Sequence, residues 1–360
     1  MPSTMHPRGQ ERIRQNEART KEKLSGGRDP NVKSISKRHY EFLNLLRVFA
    51  ILLVFNSHCD ALYPVSALAT GGAMGNALFF VISGFLLRIR DPFLPHMYRR
   101  LIRLYPGVLI MTTLSWLLGE RTIGSFRELV QSYIWPTSFW FVGALVLFDI
   151  LLYGLNKLRF TEHFKAYSAG MLILYFAAYI LLVDKSKWSV EEPGLASLSQ
   201  CFKLIYYFYI YTLGYAIGQT PGRAARSLPV PAAAAFALSF ACKALYMWQP
   251  GLLKFQFVSQ LLGILFAWTA LETTLAREEA YRARTGARFR GTVSVLASAS
   301  FEIYLVQFTA IRFCVGIPFP LNILLALAIT LGAALVLQRF DGWAAKKLAL
   351  PGGQPAHKAK

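Results

Sequence analysis

Residues 321–337 read LNILLALAITLGAALVL, a run with no charged side chain and with Asn322 and Thr330 as its polar members. A helix in a soluble protein alternates apolar and polar faces, whereas this one is apolar nearly all the way round, as a helix facing lipid must be. The same texture returns at Phe42–Phe55, Ala166–Val183 and Tyr206–Ile217, between short basic, polar or Gly/Pro-marked connections. Several of these runs fall short of the ~20 residues of an ideal span, so tilt or flanking residues must complete them. Across 360 residues, 54% are hydrophobic and 16% charged, outside the soluble balance. The expected fold class is therefore an all-α integral membrane protein.

Working outward, ten apolar spans fit at residues 42–58, 71–88, 104–118, 138–155, 167–183, 201–218, 229–248, 255–275, 292–313 and 319–338. A net charge of +20 in a soluble chain would suggest nucleic acid, but here the basic residues are sorted by loop. Thirty of the 39 Lys and Arg lie in the alternate connections that share a side with the N-terminus. That bias predicts a bundle of about ten transmembrane helices with the N-terminus and C-terminus both cytoplasmic, and no nucleic-acid partner. Residues 1–40 read as a disordered basic cytoplasmic arm able to touch membrane lipid, and they lack the apolar run of a signal peptide. Residues 41–340 form the transmembrane domain and 341–360 a short cytoplasmic tail. The four cysteines, Cys59, Cys201, Cys242 and Cys314, show no metal-ligand spacing.

An ionisable side chain inside a span is costly unless paired or facing a cavity, so each one is a functional candidate. Of the six histidines, His58 is the one at a span. Arg47 precedes it by eleven residues, about three helical turns, which puts both side chains on one face about 16 Å apart. Asp60 follows closely enough to orient the imidazole if the helix ends there. Before the third span stand Arg99, Arg100 and Arg103. Arg100 and Arg103 share a helix face, and guanidinium forks bind phosphate bidentately. Small residues punctuate the aromatic second span from Gly75 through Asn76 to Ser83 and Gly84, permitting close helix contact or room for a ligand. Asp149, Glu302 and Tyr304 are further polar groups in later spans, and either acid is a natural partner for an arginine.

Together these residues resemble the acyltransferase 3 family of membrane O-acyltransferases acting on polysaccharides and related glycans. The resemblance rests on Arg47 and His58 in the first span, Phe79-Phe80 with Ser83-Gly84-Phe85 in the second, and Arg100, Arg103, Tyr105 and Pro106 at the third. Trp140 opens a segment similar to the family's fourth span, and Ser300 to Leu305, with Glu302 and Tyr304, is similar to its late Ser-x-x-Ile-Tyr-Leu string. Two positions depart from the pattern: Asn44 stands where an acid is common, and Gln307 where a histidine is common.

The resemblance implies transfer of an acyl group, acetyl being commonest, from acyl-CoA to a sugar hydroxyl of a polysaccharide or lipid-linked glycan at the prokaryotic inner membrane. Acetyl-CoA is then a co-substrate, with no cofactor bound permanently. His58 is the expected general base, Asp60 its orienting partner, and Ser83 an oxyanion donor or, in an acyl-enzyme route, a nucleophile. Arg100 and Arg103, with Arg47, are expected to hold the donor phosphates, and Asn76, Trp140, Glu302 and Tyr304 to meet substrate. The competing readings are a transporter of a lipid-linked sugar or small anion, and an inactive scaffold of a glycan-assembly complex.

Overall fold

The computed structural model describes residues 40–89, 92–135, 139–182, 200–220 and 224–348, so the basic arm and the chain beyond 348 lie outside the described residues. Every long element is helical, and there is no strand among the described residues. In chain order the principal helices are α1 Glu41–Ser57, α2 Gly72–Leu86, α3 Phe93–Leu117, α4 Trp140–Lys157, α5 Phe164–Leu182 and α6 Gln200–Gln219. They continue with α7 Pro229–Trp248, α8 Gln256–Ala276, α9 Ala287–Ser298, α10 Ser300–Phe313 and α11 Leu321–Leu348.

Each of the ten expected stretches thus carries a helix, but not each is long and apolar enough to cross a bilayer. Six are: those ending α2 and α8, together with α4, α5, α7 and α11, and a seventh if α9 and α10, bent by 67° at Ala299, count as one broken span. α1 has 17 residues, α3 carries Arg99, Arg100 and Arg103 in its first half, and α6 is interrupted by tyrosines. The last helix also runs through residue 340 to Leu348, so helix continues past the boundary drawn for the tail.

α2 forms the centre of the bundle, packing on α1, α6 and α8, while α10 and α11 pair with each other and α11 lies along α3. Glycine makes the central contact possible: a Cβ on Gly84 would collide with the Tyr211 carbonyl, and one on Gly214 with the Val81 carbonyl. α6 explains its own low hydropathy. Its tyrosines face inward, where Tyr206 donates to the Gln260 carbonyl at 2.9 Å and Tyr215 to the Asn156 amide oxygen at 2.8 Å. Outward-facing positions on α3, α5, α7 and α11 hold exposed Leu117, Ile173, Leu181, Val230 and Val336, an apolar exterior suited to lipid. The protein is a multi-pass membrane protein built as a helical bundle.

Candidate active site

α1 ends where its sequence turns polar, and that ending builds the site. The Ser57 hydroxyl donates back to the Val54 carbonyl at 2.7 Å, and His58 caps the helix with its own amide on Phe55 at 3.0 Å. The next stretch is folded down by Asn56. Its amide nitrogen donates to the carbonyls of Leu68 and Thr70, each at 2.9 Å, and its amide oxygen accepts from the Tyr63 hydroxyl at 2.5 Å. One side chain therefore fixes both limbs of the loop from His58 to Gly71 over the helix end. Gly71, at φ +101°, supplies the left-handed turn from which α2 departs.

A cavity of about 670 Å³ opens under this loop. Its wall includes His58 and Asp60, Gly71 to Met74 and Asn76 from the start of α2, Trp140 from the start of α4, and Lys203, Tyr206 and Tyr207 from the start of α6. Ser239, Lys243 and Tyr246 from the end of α7, Gln260 and Gly263 from α8, and Tyr304 from α10 complete it. All of these elements contribute the end of the bundle at which His58 lies. The imidazole rests on Phe308, ring centroids 4.6 Å apart. Beyond that ring lies a smaller cavity of about 280 Å³, lined by Glu120, Arg121, Phe139, Thr309 and Arg312 among others.

The sequence-predicted residues divide between the two ends of the bundle. His58, Asp60, Asn76, Trp140 and Tyr304 all line the large cavity. Asp60 sits in the one-turn helix Asp60–Leu62, exposed, and lies within electrostatic reach of His58. It makes no hydrogen bond to the imidazole among the described residues, so the structure does not give it the expected orienting contact. Asn76 faces the Tyr207 hydroxyl, which also donates to the Ala73 carbonyl at 3.3 Å.

Ser83 does not join this group. It lies eleven residues below Gly72, or about 16 Å along α2, toward the opposite end, and it is absent from the cavity wall. Ser83, expected as an oxyanion donor or nucleophile, is therefore not brought to His58: its neighbour Gly84 serves the packing of α2 on α6, and the small-residue motif here makes a helix contact.

The arginines collect at the other end with the intramembrane acids. Arg100 donates through Nε to Asp149 at 2.5 Å, and the second carboxylate oxygen of Asp149 accepts from the Tyr211 hydroxyl. Asp149 is fully buried, so this ion pair satisfies a carboxylate that lipid would otherwise make prohibitive. Arg103 lies in the electrostatic field of Arg100 and Glu302, and Arg47 in that of Arg103. Glu302 in turn neighbours Asp341, which abuts Gly107 of α3. Arg47, Arg100, Arg103, Asp149, Glu302 and Asp341 thus form one charged cluster, and none of the six lines the His58 cavity.

Sequence reasoning missed Lys203, Lys243, Phe308 and Asp341. A signal existed for the lysines, since both stand at helix ends where the charge bias leaves few basic residues. The two departures are also placed. Asn44 is buried and donates to the Ser294 hydroxyl at 3.5 Å, while Gln307 is fully buried, with neither amide atom bonded among the described residues.

A family model described as an acyltransferase domain, that of the acyltransferase 3 family, matches residues 40–339. The chain belongs to the acyltransferase 3 family. The match begins at the first residue of the described bundle and ends within α11, so it takes in both the His58 cavity and the arginine cluster. No curated protein and no solved structure matches the chain. As an acyltransferase 3 protein, the bundle is a membrane acyltransferase, and among the described residues His58 is the histidine on the wall of the large cavity.

Proposed function

We propose that the protein transfers an acyl group, acetyl in the first instance, from acyl-CoA to a sugar hydroxyl of a cell-envelope or exopolysaccharide glycan, with His58 as general base. The observation that carries this reading is the position of His58, at a helix end, on the wall of a cavity large enough for a small substrate and walled by Trp140, Tyr206, Tyr207 and Tyr246. Imidazole is the side chain whose ordinary pKa suits proton transfer at neutral pH.

In the proposed step, His58 takes the hydroxyl proton as the sugar oxygen attacks the thioester carbonyl. The new C–O bond forms, the C–S bond breaks, and the proton passes from His58 to the departing CoA sulfur. Asn76 offers an amide on the cavity wall to the developing oxyanion. Direct transfer is favoured over an acyl-enzyme because Ser83 lies about three helical turns from the His58 end.

The basic cluster serves the other substrate. Arg103, exposed, and Arg47, half-buried, are proposed to receive the phosphates of the donor, with Arg100 held in place by Asp149. With both termini cytoplasmic, as the distribution of basic residues predicts, acyl-CoA reaches this end from the cytoplasm and the glycan reaches His58 from the far side of the inner membrane.

The test is transfer of labelled acetyl from acetyl-CoA to envelope glycans by membranes carrying the parent or His58→Ala at matched expression. Transfer by the parent with a loss of at least about a hundredfold in the variant supports the proposal. Equal transfer by both removes His58 from the chemistry, and transfer by neither removes the acyl-CoA reading.

A further inference from the structure

The His58 end of the bundle is poor in basic residues, yet four of them line its cavities. Lys203 and Lys243 line the large one, Arg121 and Arg312 the small one behind Phe308. Against them stand one carboxylate at the large cavity, the exposed Asp60, and one at the small, the half-buried Glu120, which lies 3.9 Å from the Arg312 guanidinium. Lys203 is the telling case. Its ammonium lies 4.4 Å from the centroid of the Trp140 ring, half-buried, with no carboxylate within ion-pair distance among the described residues. The ring face stabilises a cation only partly. Half-buried on the cavity wall, and without an acidic partner among the described residues, the Lys203 ammonium offers its charge to an anion that enters the cavity.

The surroundings define what that anion is attached to. Trp140, Tyr206, Tyr207 and Tyr246 give the cavity flat apolar faces with polar edges, and Asn76 and Gln260 add amides. The volume lies within the ~300–1,000 Å³ of small-ligand sites. Lys243 donates to the Ala69 carbonyl at 3.4 Å, which places a second ammonium under the Asn56-pinned loop.

We infer that the acceptor is an anionic glycan, and that Lys203, seated on Trp140, binds the carboxylate or phosphate of the sugar whose hydroxyl is presented to His58, with Lys243 beside it. The inference rests on the acyl-transfer reading for the role of His58. Its own content is the charge of the acceptor and the residue that reads it. Lysine fits either anion, because its ammonium is a compact point charge with no preferred planar geometry.

Binding of short oligosaccharides to the purified full chain in nanodiscs tests this without turnover. The probes are a galacturonate oligomer, a phosphorylated malto-oligomer and the unmodified malto-oligomer. The parent is expected to bind at least one acidic probe about tenfold or more tightly than the neutral one, and the identity of that probe separates carboxylate from phosphate. Lys203→Gln is expected to erase the preference, and Lys203→Arg to restore it. Acetyl-CoA binding by each variant reports that the chain is folded. The inference is overturned if the parent shows no preference for either acidic probe. It is overturned equally if Lys203→Gln keeps the preference, or if that variant loses acetyl-CoA affinity while keeping oligosaccharide affinity. Failure here leaves acetyl transfer and its dependence on His58 standing, and failure of the transfer assay leaves the charge preference to be read on its own.

Discussion

Substituting Gly75 by alanine pits two effects of opposite sign against each other. Gly75 sits in α2 where that helix crosses α1, and a Cβ there would lie 2.6 Å from the Ala50 carbonyl oxygen and 2.7 Å from Val54 Cγ2. Ordinary contact begins at 3.4 Å, so the methyl is about 0.8 Å too close, a displacement that forfeits roughly a quarter to a half of each pairwise attraction when the helices separate to admit it. The obstacle is backbone, which cannot rotate away as a side chain does. Overpacking of this kind costs about 1–3 kcal/mol, while replacing glycine inside a helix gains about 1 kcal/mol in propensity. Gly332 provides the reference, because it lies in α11 with nothing within 4 Å of its added Cβ. Subtracting the two variants removes the shared propensity gain, so Gly75→Ala is expected to be less stable than Gly332→Ala by about 1–3 kcal/mol. Unfolding in mixed micelles, followed by tryptophan fluorescence, measures both. Acetyl transfer should fall in Gly75→Ala alone, since α1 carries His58 and α2 carries Asn76. Equal stability of the two variants would refute the close contact of α1 with α2 and the placement of His58 that depends on it.

Asp149→Asn removes the charge that neutralises Arg100 and is expected to destabilise by about 3–5 kcal/mol, with the double variant Arg100→Gln/Asp149→Asn recovering part of the loss; unfolding in the same micelles decides, and additive losses would dissolve the pair. Asn56→Ala removes three hydrogen bonds that hold the loop from His58 to Gly71, each worth about 1 kcal/mol net. Amide exchange across residues 58–71 should quicken and acetyl transfer should drop by about tenfold or more, whereas unchanged exchange would mean that the loop is held by other contacts.

Much of the His58 site was legible because it is local. The eleven-position step from Arg47 to His58 is a property of one helix, and α1 is that helix, ending one residue before His58. Asn76 sits in the second turn of α2 and Trp140 at the start of α4, so a reading that placed the span ends correctly brought them to one end of the bundle. The Ser83 assignment failed for the same kind of reason: position within a motif says nothing of depth, and Ser83 is about three turns along α2 from the end that faces the cavity. The arginines were read as phosphate ligands from their spacing and an acid in a later span as a partner for one of them; that Arg100 is the one that meets Asp149 of α4, with the Tyr211 hydroxyl of α6 beside it, depends on residues 49 and 62 positions from Arg100 and Asp149 respectively.

By itself the sequence determined that the chain is helical, that it belongs in a membrane, and that a histidine and three arginines are the polar groups to explain. Those conclusions follow from apolar length and from the cost of an unpaired charge in lipid, both of which are local quantities. The tertiary structure alone decided which polar groups meet. A helix that is apolar all round carries no periodic mark of the face it turns inward, so its rotation is set by the fit of its neighbours, as when Gly84 and Gly214 let α2 and α6 touch. That rotation turns the tyrosines of α6 inward, brings Tyr211 to Asp149, and sets Lys203 over Trp140 on the wall that His58 shares.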